Sequence, residues 1–355
     1  MNSIIDMYCT CDCIPEAGRC FIGMTEKDLI TWNTLITGYV RSNSAECLHI
    51  LSKMESEGFS PNGFTFTTVI AACANLALLS CGRQLHARIA SRGLMADIPL
   101  ANTLVDMYAK CGSIVDSKNI FSEMPYRNIV SWTSMIIGYA THGHGKEAIE
   151  LFEQMISTGI NPDEVVFMAV LNACSHAGLV DEGLKYFESM ASKYNVIPDK
   201  EIYGCVVDML GRGGRVKEAY ELINNMPFEP DDYILRAFIG ACKTHKYPTL
   251  GKIVAQRLSG VRSSMSRTYR MLSNMYAADG RWEESAKMRK LVKRLGNEDE
   301  AGSSWLEFNN EVRRFVVGDI AGSLEGWDNK ILHVMIRHMK AERHKPYLDS
   351  LLHDF

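Results

Sequence analysis

The sequence predicts an all-α protein, a right-handed α-solenoid of stacked helix-turn-helix repeats with a small β-hairpin near its C-terminus. Three observations carry this prediction: internal self-similarity, apolar residues at helical spacing, and glycine and proline at the ends of the periodic stretches. Ile5-Asp6-Met7-Tyr8, Val105-Asp106-Met107-Tyr108 and Val207-Asp208-Met209-Leu210 are versions of one segment. So are Thr31-Trp32-Asn33 and Ser131-Trp132-Thr133, and Ala72-Cys73 and Ala173-Cys174; each recurs after about 100 residues. Inside that long period lie three related units, opening at Leu29 and Ile129, at Gly63 and Glu164, and at Ile98 and Lys200.

Each unit reads as two amphipathic helices. In the unit 129–163 the first helix carries Trp132, Met135, Ile136 and Tyr139, and the second places Ala148, Leu151, Phe152 and Met155 at i, i+3, i+4, i+7. Gly143 and Gly145 interrupt the pattern between them, and Gly159 with Pro162 ends the second helix. In the unit 29–62, Cys47, Leu48, Ile50, Leu51 and Met54 stand in the matching places, a cysteine replacing alanine. Neither helix can bury its stripe alone, so neighbouring units stack into one continuous core.

The bulk numbers fit that picture. A chain of 355 residues exceeds one ordinary globular core and suits either two domains or one long solenoid. A hydrophobic share of 46% rules out a disordered chain. The formal net charge of −4 supplies no global positive field, so a nucleic-acid partner would have to meet a local surface. The eleven cysteines sit mostly inside apolar helical patterns and read as reduced, buried small hydrophobes. No apolar run approaches the roughly 20 residues that span a bilayer, and no membrane partner is expected. The N-terminus carries neither a secretory signal nor an Arg-rich transit segment. Because the chain opens inside a repeat, the expectation is a fragment or truncated gene model whose targeting peptide is missing.

The units begin with an extended Val/Ile-Ser/Thr-Trp-Asn/Thr and end in Gly-x-x-Pro-Asp or Met-Pro-x-x-Asn/Asp, as in Gly159-Ile160-Asn161-Pro162-Asp163 and Met226-Pro227-Phe228-Glu229-Pro230-Asp231. That pattern resembles pentatricopeptide repeats, and the three alternating unit types resemble the plant PLS subclass. The tetratricopeptide opening, Trp-Leu-Gly, is not seen. In these terms 1–28 is an S unit lacking its opening residues, 29–62 a P unit, 63–97 an L unit and 98–128 an S unit. Residues 129–163, 164–199 and 200–231 repeat the trio in its closing form. Residues 232–265, with Ile239-Gly240-Ala241-Cys242-Lys243, resemble a degenerate repeat that opens the C-terminal extension. A second extension segment, 266–320, includes Leu272 to Trp282 and a helix from Glu283 to Arg294 that exposes Lys287, Arg289, Lys290, Lys293 and Arg294 to phosphate or to an acidic partner. From Ser304 the period changes, and Trp305–Phe308 with Val312–Val317, around Asn309-Asn310, read as a β-hairpin. Gly302 to Glu307 resembles the box of these extensions, with Ala301 where the family has proline. A charged helical tail, 321–355, closes the chain.

Editing members of the family often end in a cytidine-deaminase domain, which needs His-x-Glu and a Pro-Cys-x-x-Cys pair around zinc. Here no histidine is followed by glutamate two residues on, no two cysteines are three apart, and Cys242 is the last cysteine. No deaminase activity, no other active site and no cofactor are expected. Cys9-x-Cys11-x-Cys13 lacks a partner pair at zinc spacing, so no metal is expected either. His142-Gly143-His144-Gly145-Lys146 lacks the Ser/Thr and preceding strand of a phosphate loop and aligns with a hairpin turn.

The resemblance implies single-stranded RNA binding at one base per repeat, through the fifth and last residues of each unit, with apolar second-position residues sandwiching the base. Carried over, the pairs are Asn2 with Asp28, Asn33 with Asn62, Thr67 with Asp97, and Asn102 with Asn128. They continue as Thr133 with Asp163, Met168 with Asp199, and Gly204 with Asp231. Met168 and Gly204 cannot hydrogen-bond a base through their side chains. The competing reading is that the Asn and Asp residues are only turn formers and helix caps. The family's code gives uracil for Asn–Asp, cytosine over uracil for Asn–Asn and guanine for Thr–Asp, with the L units 63–97 and 164–199 loosely specified, hence 5′-U-Y-N-Y-G-N-N-N-N-N-C with the final C as target. The implied role is site recognition in organellar cytidine-to-uridine editing, in mitochondrion or plastid with the mitochondrion preferred. The implied partners are a deaminase acting in trans and small editing cofactors. A splicing or transcript-stability factor, and a peptide-binding scaffold of the tetratricopeptide sort, are the alternatives.

Overall fold

The computed structural model describes residues 2–255, 257, 262–295, 303–308 and 311–316. It divides into two compact units, Met1–Glu298 and Asp299–Phe355. The first is a run of helical hairpins: α1 (Asn2–Thr10) with α2 (Ile14–Ile22), α3 (Leu29–Arg41) with α4 (Glu46–Ser56), and α5 (Gly63–Asn75) with α6 (Leu79–Ser91). Then come α7 (Ile98–Lys110) with α8 (Ile114–Glu123), α9 (Ile129–Thr141) with α10 (Gly145–Ser157), and α11 (Glu164–Ala177) with α12 (Val180–Tyr194). The run closes with α13 (Lys200–Arg212) and α14 (Val216–Asn224), α15 (Asp232–Thr244) and α16 (Pro248–Ala255), and α17 (Arg262–Ala278) and α18 (Trp282–Leu295).

Each odd-numbered helix from α1 to α15 packs on the next odd-numbered helix, on its own hairpin partner and, from α3 on, on the partner of the preceding hairpin. The first helices therefore form one layer and the second helices another, which is the stacking of an α-solenoid. The predicted stripes are the core: Met135, Ile136, Ala148, Phe152 and Met155 are fully buried, as are Trp32, Cys47 and Met54. The long period is visible in the packing. Phe21 meets Trp32 edge-on at 4.6 Å between ring centroids, and Phe121 meets Trp132 edge-on at 5.1 Å. Contacts of this kind add about 0.5–1.5 kcal/mol each beyond the area buried.

Small residues let the hairpins approach. A side chain at Gly145, where α10 begins, would place its Cβ 2.3 Å from Ala177 Cβ and 3.0 Å from the Ala173 carbonyl oxygen on α11. Gly178, at φ +72°, ends α11 in the left-handed conformation that costs glycine least.

Within the second unit Ser303–Phe308 and Glu311–Val316 pair antiparallel, from Ser303 opposite Val316 to Phe308 opposite Glu311. Asn309, Asn310, Val317 and the tail 321–355, with the helix expected there, lie outside the described residues. Among the described residues no helix is long and apolar enough to cross a membrane, and no group of three or more His, Cys, Asp or Glu side chains could hold a metal ion. The Cys9–Cys13 run divides between a buried Cys9 at the end of α1, an exposed Cys11 in the turn, and Cys13 as the residue before α2.

Candidate nucleic-acid interface

The last residue of each unit caps the first helix of the next. Asp28, Asn62, Asp97, Asn128, Asp163, Asp199 and Asp231 all have extended backbone, and each Oδ1 accepts the backbone N–H three residues on, at 2.7–3.3 Å. An N-terminal helix turn leaves its N–H groups without partners, and a short carboxylate or amide is the side chain that reaches them. At Asp28, Asn62 and Asn128 the cap is reciprocal, the hydroxyl of Thr31, Thr65 or Ser131 accepting the cap residue's own N–H. All seven residues therefore cap a helix. Capping accounts for one polar atom of each side chain; the cap does not use Oδ2 of the aspartates or Nδ2 of the asparagines. Because a backbone N–H needs an oxygen, the cap also fixes which way each asparagine amide faces.

The fifth-position residues divide into two groups. Asn2 Oδ1 lies 3.0 Å from the Thr31 hydroxyl, which is itself 2.6 Å from Asp28 Oδ1. The Thr31 hydroxyl and amide, and then Asn2, hold the Asp28 carboxyl below its usual range. Asn33 Oδ1 lies 2.7 Å from the Thr65 hydroxyl, and that hydroxyl lies 2.8 Å from Asn62 Oδ1. Asn102 Nδ2 donates directly to Asn128 Oδ1 at 3.3 Å. The structure thus brings together Asn2 with Asp28, Asn33 with Asn62, and Asn102 with Asn128.

The other four pairs are not joined by a hydrogen bond. Thr67 and Thr133 donate their hydroxyl protons back to the Gly63 and Ile129 carbonyls, at 2.9 and 2.8 Å. Met168 Sδ receives the Cys205 thiol at 2.9 Å. Gly204 lies beneath Tyr233, where a Cβ would come within 3.1 Å of the ring. Across the unit 164–199 the first residue, Glu164, meets the last; partial desolvation and then the Asp199 carboxyl raise the Glu164 pKa.

Two sets of residues complete the surface. At the second position Ile30, Phe64, Val130, Val165 and Tyr233 are 52–64% exposed, although large apolar side chains on a packed helix would ordinarily be turned inward. Pro99 and Glu201 hold that position in the other two units. The resemblance names this position only as a class. At the third position Thr31, Thr65 and Ser131 join or flank the pairs, and sequence reasoning missed them; their signal is a hydroxyl two residues before the fifth-position residue. On α18, Lys287, Arg289, Lys290, Lys293 and Arg294 are exposed, and Arg289 also donates to the Ser273 hydroxyl at 3.2 Å.

A layer of first helices, most of which present a polar pair with exposed apolar side chains close by, defines a modular repeat protein. Models described as PPR repeat family and PPR repeat match residues 27–75 and 127–176, and 1–29, 101–129, 165–194 and 201–229; an E motif matches 245–307. The chain belongs to the pentatricopeptide repeat family. It is 50% identical over 356 residues to a putative pentatricopeptide repeat-containing protein of Arabidopsis thaliana, a match covering 100% of this chain and 58% of the relative. Two other Arabidopsis thaliana members, named chloroplastic and mitochondrial, are 38% and 39% identical, covering 99% and 90% of this chain and 42% and 38% of theirs. The chain thus spans about half the length of the curated relatives it matches. Among solved structures, the pentatricopeptide repeat protein PPR10 in complex with an 18-nt psaJ RNA element superposes with a TM-score of 0.67 at 20% identity, over 83% of this chain and 45% of that one.

Proposed function

We propose that the repeats bind single-stranded RNA, one base per repeat, and that each joined pair reads the Watson–Crick edge of its base. The observation that supports this most directly is the meeting of fifth and last side chains in Asn2/Asp28, Asn33/Asn62 and Asn102/Asn128. The cap leaves a last-position aspartate with an acceptor and a last-position asparagine with a donor. Uracil and guanine carry a ring N–H at that edge, whereas cytosine and adenine carry a lone pair, so aspartate suits the first two and asparagine the second two. The exposed apolar second positions, Ile30, Phe64, Val130, Val165 and Tyr233, offer faces for stacking, worth about 1–3 kcal/mol per base for an aromatic side chain. The Thr67/Asp97, Thr133/Asp163, Met168/Asp199 and Gly204/Asp231 pairs complete the register, the last two reading weakly.

In this reading the protein recognises sites for cytidine-to-uridine editing in an organelle and is not itself an enzyme. The E motif match at 245–307 supports recruitment of a deaminase in trans, and the chloroplastic and mitochondrial names of relatives support an organellar setting. Lys287, Arg289, Lys290, Lys293 and Arg294 would meet phosphate or that partner. The test is a binding series on 5′-U-Y-N-Y-G-N-N-N-N-N-C RNAs with each specified base varied in turn. Equal affinity for all bases at the Asn2/Asp28 and Thr133/Asp163 positions would end the base-reading proposal.

A further inference from the structure

The third-position residue of each unit follows the fifth-position residue of the unit before it. Where the fifth residue is asparagine (Asn2, Asn33, Asn102), the next third residue is Thr31, Thr65 or Ser131; where it is Thr67, Thr133, Met168 or Gly204, the next third residue is Leu100, Val166, Ile202 or Ile234. Hydrogen bonds link the two positions at Thr31 with Asn2 and at Thr65 with Asn33. Thr67 and Thr133 satisfy their own hydroxyl protons on the preceding helical turn, and Met168 and Gly204 have no such need. An asparagine amide cannot do this, and a rotatable amide with both ends open presents either a donor or an acceptor.

We infer that Thr65 is a positioning residue for base recognition: its hydroxyl holds the oxygen of Asn33 inward, so that the amide nitrogen faces the base. This rests on the base-reading proposal above. Thr65 Oγ1 accepts the Asn62 N–H at 3.2 Å, which leaves its single proton between Asn33 Oδ1 at 2.7 Å and Asn62 Oδ1 at 2.8 Å. The contact to Asn33 Oδ1 is the shorter, and Asn62 Oδ1 already receives the Thr65 N–H at 2.9 Å, so we assign the proton to Asn33. At Asn2 the Thr31 hydroxyl lies between Asn2 Oδ1 at 3.0 Å and Asp28 Oδ1 at 2.6 Å, and the nearer carboxylate takes its proton. In the third pair Asn102 Oδ1 is again turned inward, but it is buried with no partner while Ser131 bonds Asn128.

The outward nitrogen explains pyrimidine selection. The O2 atom that uracil and cytosine share accepts from it. Guanine offers a second donor, N2, at the same place and adenine a C–H. The last residue then distinguishes N3–H of uracil from the bare N3 of cytosine. A threonine whose proton is held by its own helix presents only lone pairs, which accept from guanine N2.

The experiment titrates the full chain and its Asn33→Ala, Thr65→Val and Thr65→Ser variants with RNAs that differ only at the base facing Asn33 and Asn62, with a thermal melt on each. Parent and Thr65→Ser are expected to favour pyrimidines by about tenfold, and Thr65→Val to bring all four bases within about twofold at this position alone. Four units already fold with an aliphatic third residue, so Thr65→Val should still melt cooperatively. A gain-of-function arm covers the case in which it does not: Thr133→Asn with Val166→Thr should favour uracil over guanine about fivefold more than Thr133→Asn alone. Thr65→Val with the parent's preference intact, or no gain from Val166→Thr, overturns the inference. A parent indifferent to the base, or unchanged by Asn33→Ala, refutes base reading itself and this inference with it.

Discussion

Single side chains in this protein do two jobs, and substitutions separate them. Thr133 donates its proton to the Ile129 carbonyl, and Asp163, the residue paired with it in the proposed code, caps α11. Replacing it with asparagine should move the preferred base from guanine towards uracil by about 1–3 kcal/mol, read as the change in relative affinity across four RNAs. The same substitution should leave the melting temperature close to that of the parent, because the α11 cap is untouched. Asp28→Ala should instead lose both base preference and about 0.5–2 kcal/mol of stability, since Thr31 N–H then has no acceptor. Phe64→Ala should weaken RNA binding by about 1–3 kcal/mol at every base without a change in ranking, because a stacking face carries no hydrogen-bond code. An unchanged affinity in Phe64→Ala would remove the exposed second position from the interface.

At the scale of the helix pair, the contact between α10 and α11 is set by a missing side chain. Gly145→Ala should destabilise the protein by about 1–3 kcal/mol, because its Cβ meets Ala177 Cβ and the Ala173 carbonyl rather than a flexible side-chain end. Chemical denaturation of the variant measures it, and an unaltered midpoint would mean the two hairpins can part freely. The helices were legible in the sequence because burial imposes its own period: Met135, Ile136, Ala148, Phe152 and Met155 are spaced for one face and lie on one face. The caps were legible too, since Asp and Asn before a periodic run have few other uses. The Thr65 bridge was not. It joins Asn33 and Asn62 across the junction of two units, and only the stacking register brings the three groups within hydrogen-bond reach. Nor could the sequence show that Tyr233 lies over Gly204, because that depends on how far α15 advances past α13.

Over the whole molecule, burial in a continuous core governs the chemistry of the cysteines. Burial pushes the Cys47 thiol up to about 11 and those of Cys174, Cys205 and Cys242 up to about 12, while Cys11 is exposed. The thiolate is the reactive form. A thiol reagent at neutral pH should therefore label Cys11 rapidly and these four only on unfolding, as mass spectrometry of labelled peptides would reveal; rapid native labelling of Cys174 would contradict a closed core. Purified chain with zinc and cytidine-containing RNA should yield no uridine, and zinc-dependent conversion by the pure protein would refute the site-recognition role without catalysis. The string of capped junctions also limits how such a chain can change its target. Any residue placed last in a unit must terminate solvent-exposed backbone at the start of the next helix before it can discriminate anything, and of the twenty side chains only a few short polar ones do so. Exchange between aspartate and asparagine preserves the scaffold while exchanging acceptor for donor. The vocabulary of the reader at that place is thus restricted by the grammar of helix initiation, and new specificities arise most cheaply as swaps within that small set.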